Sequence, residues 1–345
     1  MKKMFIALLW LFFATEQIQA CDVCTAFAGI NPHDYKSWFT VRYRQSVFSQ
    51  TLFGNPSSTT FTPYQFTVGR LNHYLATPST DVSHTFLYKE VYNTFEMAGN
   101  IYLSPKWQLF SQLKMSDNSI YYDDSVAVNI AGIGDLLLMA RYQVFATKVR
   151  SDDTLDTQFK HRLRVGGGII LPTGNYRKYS TVGYETSFTA QGILTVPVQV
   201  LDYELQPGAG AVSFPVSLNY LAKYKKVGAY YMANFAANTV SSLGYRFANR
   251  FSQMFNIMYF AGTKKFRVIL FAGITYETAG KDKLKNVPVM GTGGEAVLLN
   301  EGVQFYLQNI SLSATLSTPI YQNLWDNQAN MQYRATISVK YFINK

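Results

Sequence analysis

The stretch that most constrains this chain runs from Tyr333 to Ile343, where apolar and polar residues alternate. Tyr333, Ala335, Ile337, Val339, Tyr341 and Ile343 share one face. Arg334, Thr336, Ser338, Lys340 and Asn344 share the other, with Phe342 as the exception. A strand of that period has one apolar and one wet face. The pattern recurs. Phe39, Val41, Tyr43 and Val47 oppose Thr40, Arg42, Arg44 and Ser46. Phe214, Val216, Leu218, Tyr220 and Ala222 oppose Ser213, Ser217, Asn219 and Lys223. Ile310, Leu312, Ala314 and Leu316 oppose Ser311, Ser313, Thr315 and Ser317.

A lipid-facing apolar side and a polar lumen side give this alternation in a transmembrane β-barrel. The sequence predicts an all-β fold, a transmembrane antiparallel up-and-down β-barrel of about twelve strands, preceded by a signal peptide. The strands are placed at 36–53, 84–103, 106–117, 126–146, 159–172, 211–224, 227–239, 243–260, 264–278, 295–308, 310–321 and 331–343. Two alternate poorly. In the fourth, Leu137 and Met139 share the face of Arg141 and Gln143. In the tenth, Glu301 has the parity of Val303 and Phe305, and a bulge there would restore the alternation.

Composition agrees. Mean hydropathy is −0.03, and only the N-terminus approaches a run long enough for a transmembrane helix. The 25 Tyr and 25 Phe suit the aromatic girdles of a barrel. A soluble β-sandwich is the plain alternative. Residues 1–20 read as a signal peptide: Lys2 and Lys3, an apolar core from Met4 to Phe13, and an Ala20–Cys21 junction. Residues 21–35 then form a periplasmic segment, and 36–345 the barrel.

Loop lengths give an independent check. Outer-membrane barrels have short periplasmic turns and longer extracellular loops. Ser104–Pro105, Lys225–Lys226, Ala261–Gly262–Thr263 and Asn309 are short connections on one side. The other side carries long loops at 54–83, 173–210 and 279–294. The connection at 147–158 is longer than its side wants. The expected location is the bacterial outer membrane, with both termini periplasmic.

Several short motifs occur in order: Gly132-Ile133-Gly134-Asp135, His161 to Gly168, Leu171-Pro172-Thr173-Gly174, and Leu205-Gln206-Pro207-Gly208. In this order the chain resembles the outer-membrane transporters of the "MetA-pathway of phenol degradation" type over most of 36–343. The resemblance implies a passive outer-membrane transporter and no catalytic residues. Cys21-Asp22-Val23-Cys24 resembles a branch whose mature chain begins Cys-x-x-Cys, although Thr25 and Ala26 stand where that branch often has Gly-Cys.

Cys21 and Cys24 are the only cysteines. Three readings stay open: lipid modification of Cys21, a disulfide or unassigned role for the pair, or a soft-metal or redox site with His33. Structural zinc wants four ligands, and the sequence offers no fourth. His73, His84 and His161 have no metal-ligand spacing. Asp123–Asp124 and Asp152–Asp153 read as solvated connections. No cofactor is implied, and the chain is not read as an enzyme.

The net charge of +10 does not come with a clustered basic helix or RNA-binding motif, so nucleic acid is not an expected partner. Outer-membrane lipid and a small-molecule solute are. By parity, Arg42, Arg44, Arg141, Arg162, Arg164, Arg246, Arg250, Arg267 and Arg334 point inward, with Lys114, Lys223 and Lys340. Glu96 and Glu277 are the clearest inward acids. Such a lining would favour anions. Alternatively the arginines pair with these glutamates and fill the interior. The function expected is a passive channel for small solutes; the alternative is a structural or surface-binding barrel.

Overall fold

The computed structural model describes residues 36–53, 85–147, 159–189, 192–263, 266–326 and 328–343. Among these there is no helix. Twelve strands form the wall: β1 Ser37–Phe53, β2 Thr85–Tyr102, β3 Trp107–Tyr122, β4 in two pieces (Ser125–Ile133 and Leu136–Ala146), β5 Lys160–Leu171, β6 Ser213–Tyr224, β7 Val227–Asn238, β8 Arg250–Gly262, β9 Phe266–Ala279, β10 Gly294–Leu307, β11 Ile310–Leu324 and β12 Asn330–Ile343. Each pairs antiparallel with its sequence neighbours, and β1 pairs with β12, from Ser37↔Ile343 to Ser49↔Asn330. Closure leaves no free edge in the body of the wall, which is what a sheet needs in lipid.

Alternation becomes an inside and an outside. Phe39, Tyr43, Phe95, Leu109, Leu270, Ile274, Leu312, Ile337 and Val339 are exposed on the outer face. A patch of that extent is a liability in water and the expected surface in hydrocarbon. Near the end that holds Ser37 and Ile343, the rings of Trp107 and Tyr142, of Phe145 and His161, and of Phe266 and Phe305 pack in pairs as a girdle.

The inner face is not uniformly polar. Two apolar clusters lie inside the barrel, one towards each end. Successive inward residues show their order. On β1, Trp38 belongs to the cluster nearer Ser37 and Ile343, Arg42 and Arg44 follow, and Phe48 and Leu52 belong to the far cluster. On β12 the series is Phe342, Lys340, Arg334, Met331. A charged belt therefore separates two apolar layers. Phe342, the exception to its strand's alternation, is fully buried inside. Such burial contributes about 1.5–3 kcal/mol per large apolar side chain.

Four expectations need correction. The fourth strand is interrupted at Gly134–Asp135: its first piece pairs with Met115–Tyr122 of β3, its second with Trp107–Gln112 and with β5. Leu137, Met139, Arg141 and Gln143 do share one face, and it is the inner one. The third strand continues to Tyr122 and turns at Asp123, whose φ of 42° suits a tight hairpin.

The tenth strand has no bulge at Glu301. Pairing runs unbroken through Ala272↔Glu301 and Glu301↔Leu316, so the carboxylate stays on the outer face in mid-strand. The irregularity lies instead opposite Ile320, between Val297 and Leu298. Finally, the eighth strand begins at Arg250 and not at 243. Tyr245–Arg246 pairs with Lys283–Leu284 in a small sheet beyond the wall. The loop at 173–210 also carries a hairpin, Ser180–Thr189 with Gly192–Val200.

Candidate lumen site

The belt is built from five charged residues on four strands. Glu96 of β2 faces Arg42 in register. Its Oε2 lies 3.2 Å from Arg42 Nη1, and its Oε1 lies 3.6 Å from Arg44 Nη2. All three are almost wholly buried. Across the lumen, Arg334 of β12 donates to both oxygens of Glu277 on β9, at 2.7 and 3.1 Å. Two strands separate these partners, so the pair spans part of the interior. Desolvating charges is costly, and fork-to-fork geometry with low dielectric offsets it.

Beside the belt lies an internal cavity of about 80 Å³. Arg42, Arg44, Arg334 and Glu277 line it, with Ser252, Asn256, Thr275, Asn300 and Ser317. Met232, Met254 and Phe271 supply an apolar wall. Asn300 Nδ2 donates to Thr275 at 2.6 Å, and Ser317 donates to Asn300 Oδ1 at 2.7 Å. Asn256 is different. It is fully buried, and among the described residues neither its Nδ2 nor its Oδ1 has a hydrogen-bond partner. Gly273, its register partner on β9, has no Cβ to clash with that carboxamide.

Below the belt, the remaining cations sit against aromatic faces. Arg141 lies 4.0 Å from the centroid of the Phe110 ring, Lys340 4.7 Å from Trp38, and Lys223 4.9 Å from Phe260. Arg164 donates to the Tyr102 hydroxyl at 2.6 Å. Arg162 and Arg267 have inward parity, and Lys114 packs against Gly134. Arg250 stands at the rim, 5.3 Å from the Phe247 ring. Arg246 is not a wall residue: its Nε donates to the carbonyl of Asn238 beyond the barrel end. Strand parity carries Arg246 inward in the sequence, but Tyr245–Arg246 leaves the wall to pair with Lys283–Leu284.

An inward acid escaped the sequence reading. Glu90 on β2 is buried in the far apolar layer and accepts from Tyr88 and Tyr92 at 2.8 and 2.9 Å. Tyr88 and Tyr92, each two residues from Glu90 and so on its face of the strand, are the available signal. His161 lies on the wall among the rings of Phe145, Phe159 and Tyr220. Cys21, Cys24, His33, His73, His84 and Asp152–Asp153 lie outside the described residues. Among those described, no group of His, Cys, Asp and Glu is arranged to hold a metal.

Three of the short motifs converge at the break in β4. Asp135 accepts from the backbone N–H of Gly174 at 2.9 Å and of Ala209 at 2.7 Å. Asn175 Oδ1 accepts from Ile133 N at 3.0 Å, taking over ladder bonding where the strand stops. A Cβ on Gly208 would lie 2.8 Å from Asp135 Oδ1 and equally close to the Gly174 backbone, so only glycine fits. This knot delivers Leu205 into the far apolar layer, where its carbonyl accepts from Asn118 Nδ2 at 2.9 Å.

No known family profile matches the sequence, and no curated protein matches it. Solved structures do. An outer-membrane channel from Pseudomonas putida F1 is 12% identical over 91% of this chain and 100% of that one, with a TM-score of 0.55. The two share the barrel fold. A mutant of the monoaromatic hydrocarbon channel TodX (8% identical, 91% of each chain) has a TM-score of 0.43. The β-domain of the Bordetella autotransporter BrkA (10% identical, 88% of this chain, 98% of that one) has 0.42.

Proposed function

We propose that this protein is a passive outer-membrane channel for small solutes whose lumen favours anions. The observation that carries the reading is the charge inside the wall. Inward arginines and lysines from β1, β3, β4, β5, β6, β8, β9 and β12 outnumber Glu90, Glu96 and Glu277 among the described residues. Surplus positive charge between low-dielectric walls raises the local concentration of anions. The barrel shared with the Pseudomonas channel supports a channel in general, and the ordered motifs support the phenol-degradation-type family. In this reading residues 1–20 are cleaved and both termini face the periplasm.

The apolar layers on either side of the belt favour a second reading, a closed barrel that does not conduct. Single-channel recording of the purified protein in a planar bilayer separates the two. Discrete conductance steps support the channel; a silent bilayer containing folded protein supports the closed barrel.

A further inference from the structure

We propose that the rim of short turns is a binding surface for anionic glycerophospholipid headgroups, with the turn of Lys225 and Lys226 as its main contact. Recognition of a lipid phosphate stands on the rim itself. Its assignment to the periplasmic leaflet rests on the reading above, in which the short turns face the periplasm.

The first observation is how charge divides between the two ends of the barrel. At the end that holds Ser37 and Ile343, the described turns are 103–106, 225–226, 263 and 308–309. They contain three lysines, Lys106, Lys225 and Lys226, and no acid. Lys264 and Lys265 follow Thr263 in the sequence, and 148–158, outside the described residues, holds charges of both signs. At the far end Asp123, Asp124, Asp282 and Asp326 stand among the basic residues. A cationic fringe beside a membrane attracts lipids of net negative charge.

The second is where the lysines stand. Tyr224, Val227 and Tyr259 are register neighbours across β6, β7 and β8, and all three are exposed on the outer face. Ile257 and Phe255 continue that face along β8 as exposed apolar surface. Tyrosines at such a border sit at headgroup depth, with hydrocarbon on one side and water on the other. Lys225 and Lys226 are exposed right at this border. The Lys225 Nζ lies 5.2 Å from the centroid of the Tyr224 ring, which holds the ammonium at the membrane edge. The Lys226 carbonyl accepts from Phe260 N at 2.7 Å and ties the turn to β8.

These features set the ligand class. A phosphate fits between the two ammonium groups while its acyl chains lie on the apolar face below. A zwitterionic headgroup brings a cation of its own among the lysines; phosphatidylglycerol does not.

The turn itself supplies a clean variant. Lys225 has φ 51°, a left-handed backbone that favours glycine. Lys225→Gly/Lys226→Asn therefore removes both charges and suits the hairpin. The test is native mass spectrometry of the purified full-length protein in micelles containing phosphatidylglycerol and phosphatidylcholine with matched chains. The expected result is a ~10-fold preference for phosphatidylglycerol. Lys225→Gly/Lys226→Asn is expected to lose most of it with phosphatidylcholine unchanged, and Lys225→Arg/Lys226→Arg to keep it. Lys285 has the same backbone at the far end, with φ 49°, so Lys283→Gln/Lys285→Gly is the control and is expected to change nothing. If the glycine variant gives no folded, heat-modifiable barrel, Lys225→Gln/Lys226→Gln is read in its place. Equal retention of the two lipids, a preference that survives loss of both lysines, or an equal loss in the far-end control overturns the proposal. Lys226→Cys, probed on whole cells with a membrane-impermeant maleimide against the parent protein, tests the leaflet. Labelling only after the outer membrane is permeabilised supports the periplasmic phospholipid. Labelling of intact cells overturns the glycerophospholipid assignment and the orientation, and passes the site to lipopolysaccharide phosphates.

Discussion

Arg334 on β12 and Glu277 on β9 form a two-bond ion pair that reaches past the two strands between them. Neighbouring strands are already joined by their backbone ladders. This pair joins parts of the wall that the ladders leave apart, so it resists flattening of the barrel as well as neutralising charge.

Breaking the pair from one side is expected to be costly. Arg334→Met leaves Glu277, which has no exposed surface, uncompensated. The expected loss is about 3–5 kcal/mol, whereas replacing both partners with methionine restores most of it. Urea unfolding in detergent, followed by heat-modifiability on gels, measures both. A double variant as unstable as the single would show that the pair itself, and not the orphaned charge, carries the stability.

Gly208→Ala tests the knot at the strand break. Its Cβ would meet Asp135 and the Gly174 backbone, an overpacking that costs about 1–3 kcal/mol. Asp135→Ala removes the acceptor of two backbone N–H groups. Both variants are expected to become sensitive to protease between 172 and 210 while the wall stays intact. Unchanged resistance would mean that the loop is held elsewhere.

Glu301→Leu is expected to stabilise the barrel in bilayers by about 1–2 kcal/mol, since it removes an ionisable group from the lipid face in mid-strand. Refolding titrations into vesicles report the difference. A destabilised variant would reveal that the carboxylate has a partner in the membrane.

How much of this was legible in the sequence depends on the kind of information. Strands such as β6, β11 and β12 announce themselves, because inside and outside differ chemically at every step. Arg42, Arg44, Glu96 and Arg334 were placed by that parity. The break at Gly134–Asp135 was hidden, since Leu136–Met139 reads as a continuation of the apolar run before it. Arg246 was misplaced because parity carries on past the end of a strand. Gly132–Asp135, Leu171–Gly174 and Leu205–Gly208 stand out as motifs, yet their meeting point depends on contacts distant in sequence. Asn256 carries no sequence signal at all: its missing partners appear only once the wall is closed.

Tyr245 gives the small sheet beyond the barrel a pH limit. It is buried in the connection between β7 and β8, and its hydroxyl donates to Asp282 Oδ2 at 2.6 Å. Burial, then the Asp282 charge, pushes its pKa well above the usual tyrosine value. The unfolded side chain ionises near pH 10. Its contribution is therefore intact below about pH 10 and is lost as pH rises towards the folded pKa. Protease sensitivity of the 239–249 connection should rise above that pH, and Tyr245→Phe should abolish the dependence. Sensitivity that instead rises on acidification would reverse the assignment.

The central claim is that positive charge within the lumen governs what passes. The most direct measurement is the reversal potential of the purified protein in a planar bilayer under a potassium chloride gradient. Preference for chloride in the wild type, reduced in Arg42→Gln/Arg44→Gln/Arg141→Gln, is the predicted result. Potassium preference in the wild type, or an unchanged reversal potential in the triple variant, would contradict it.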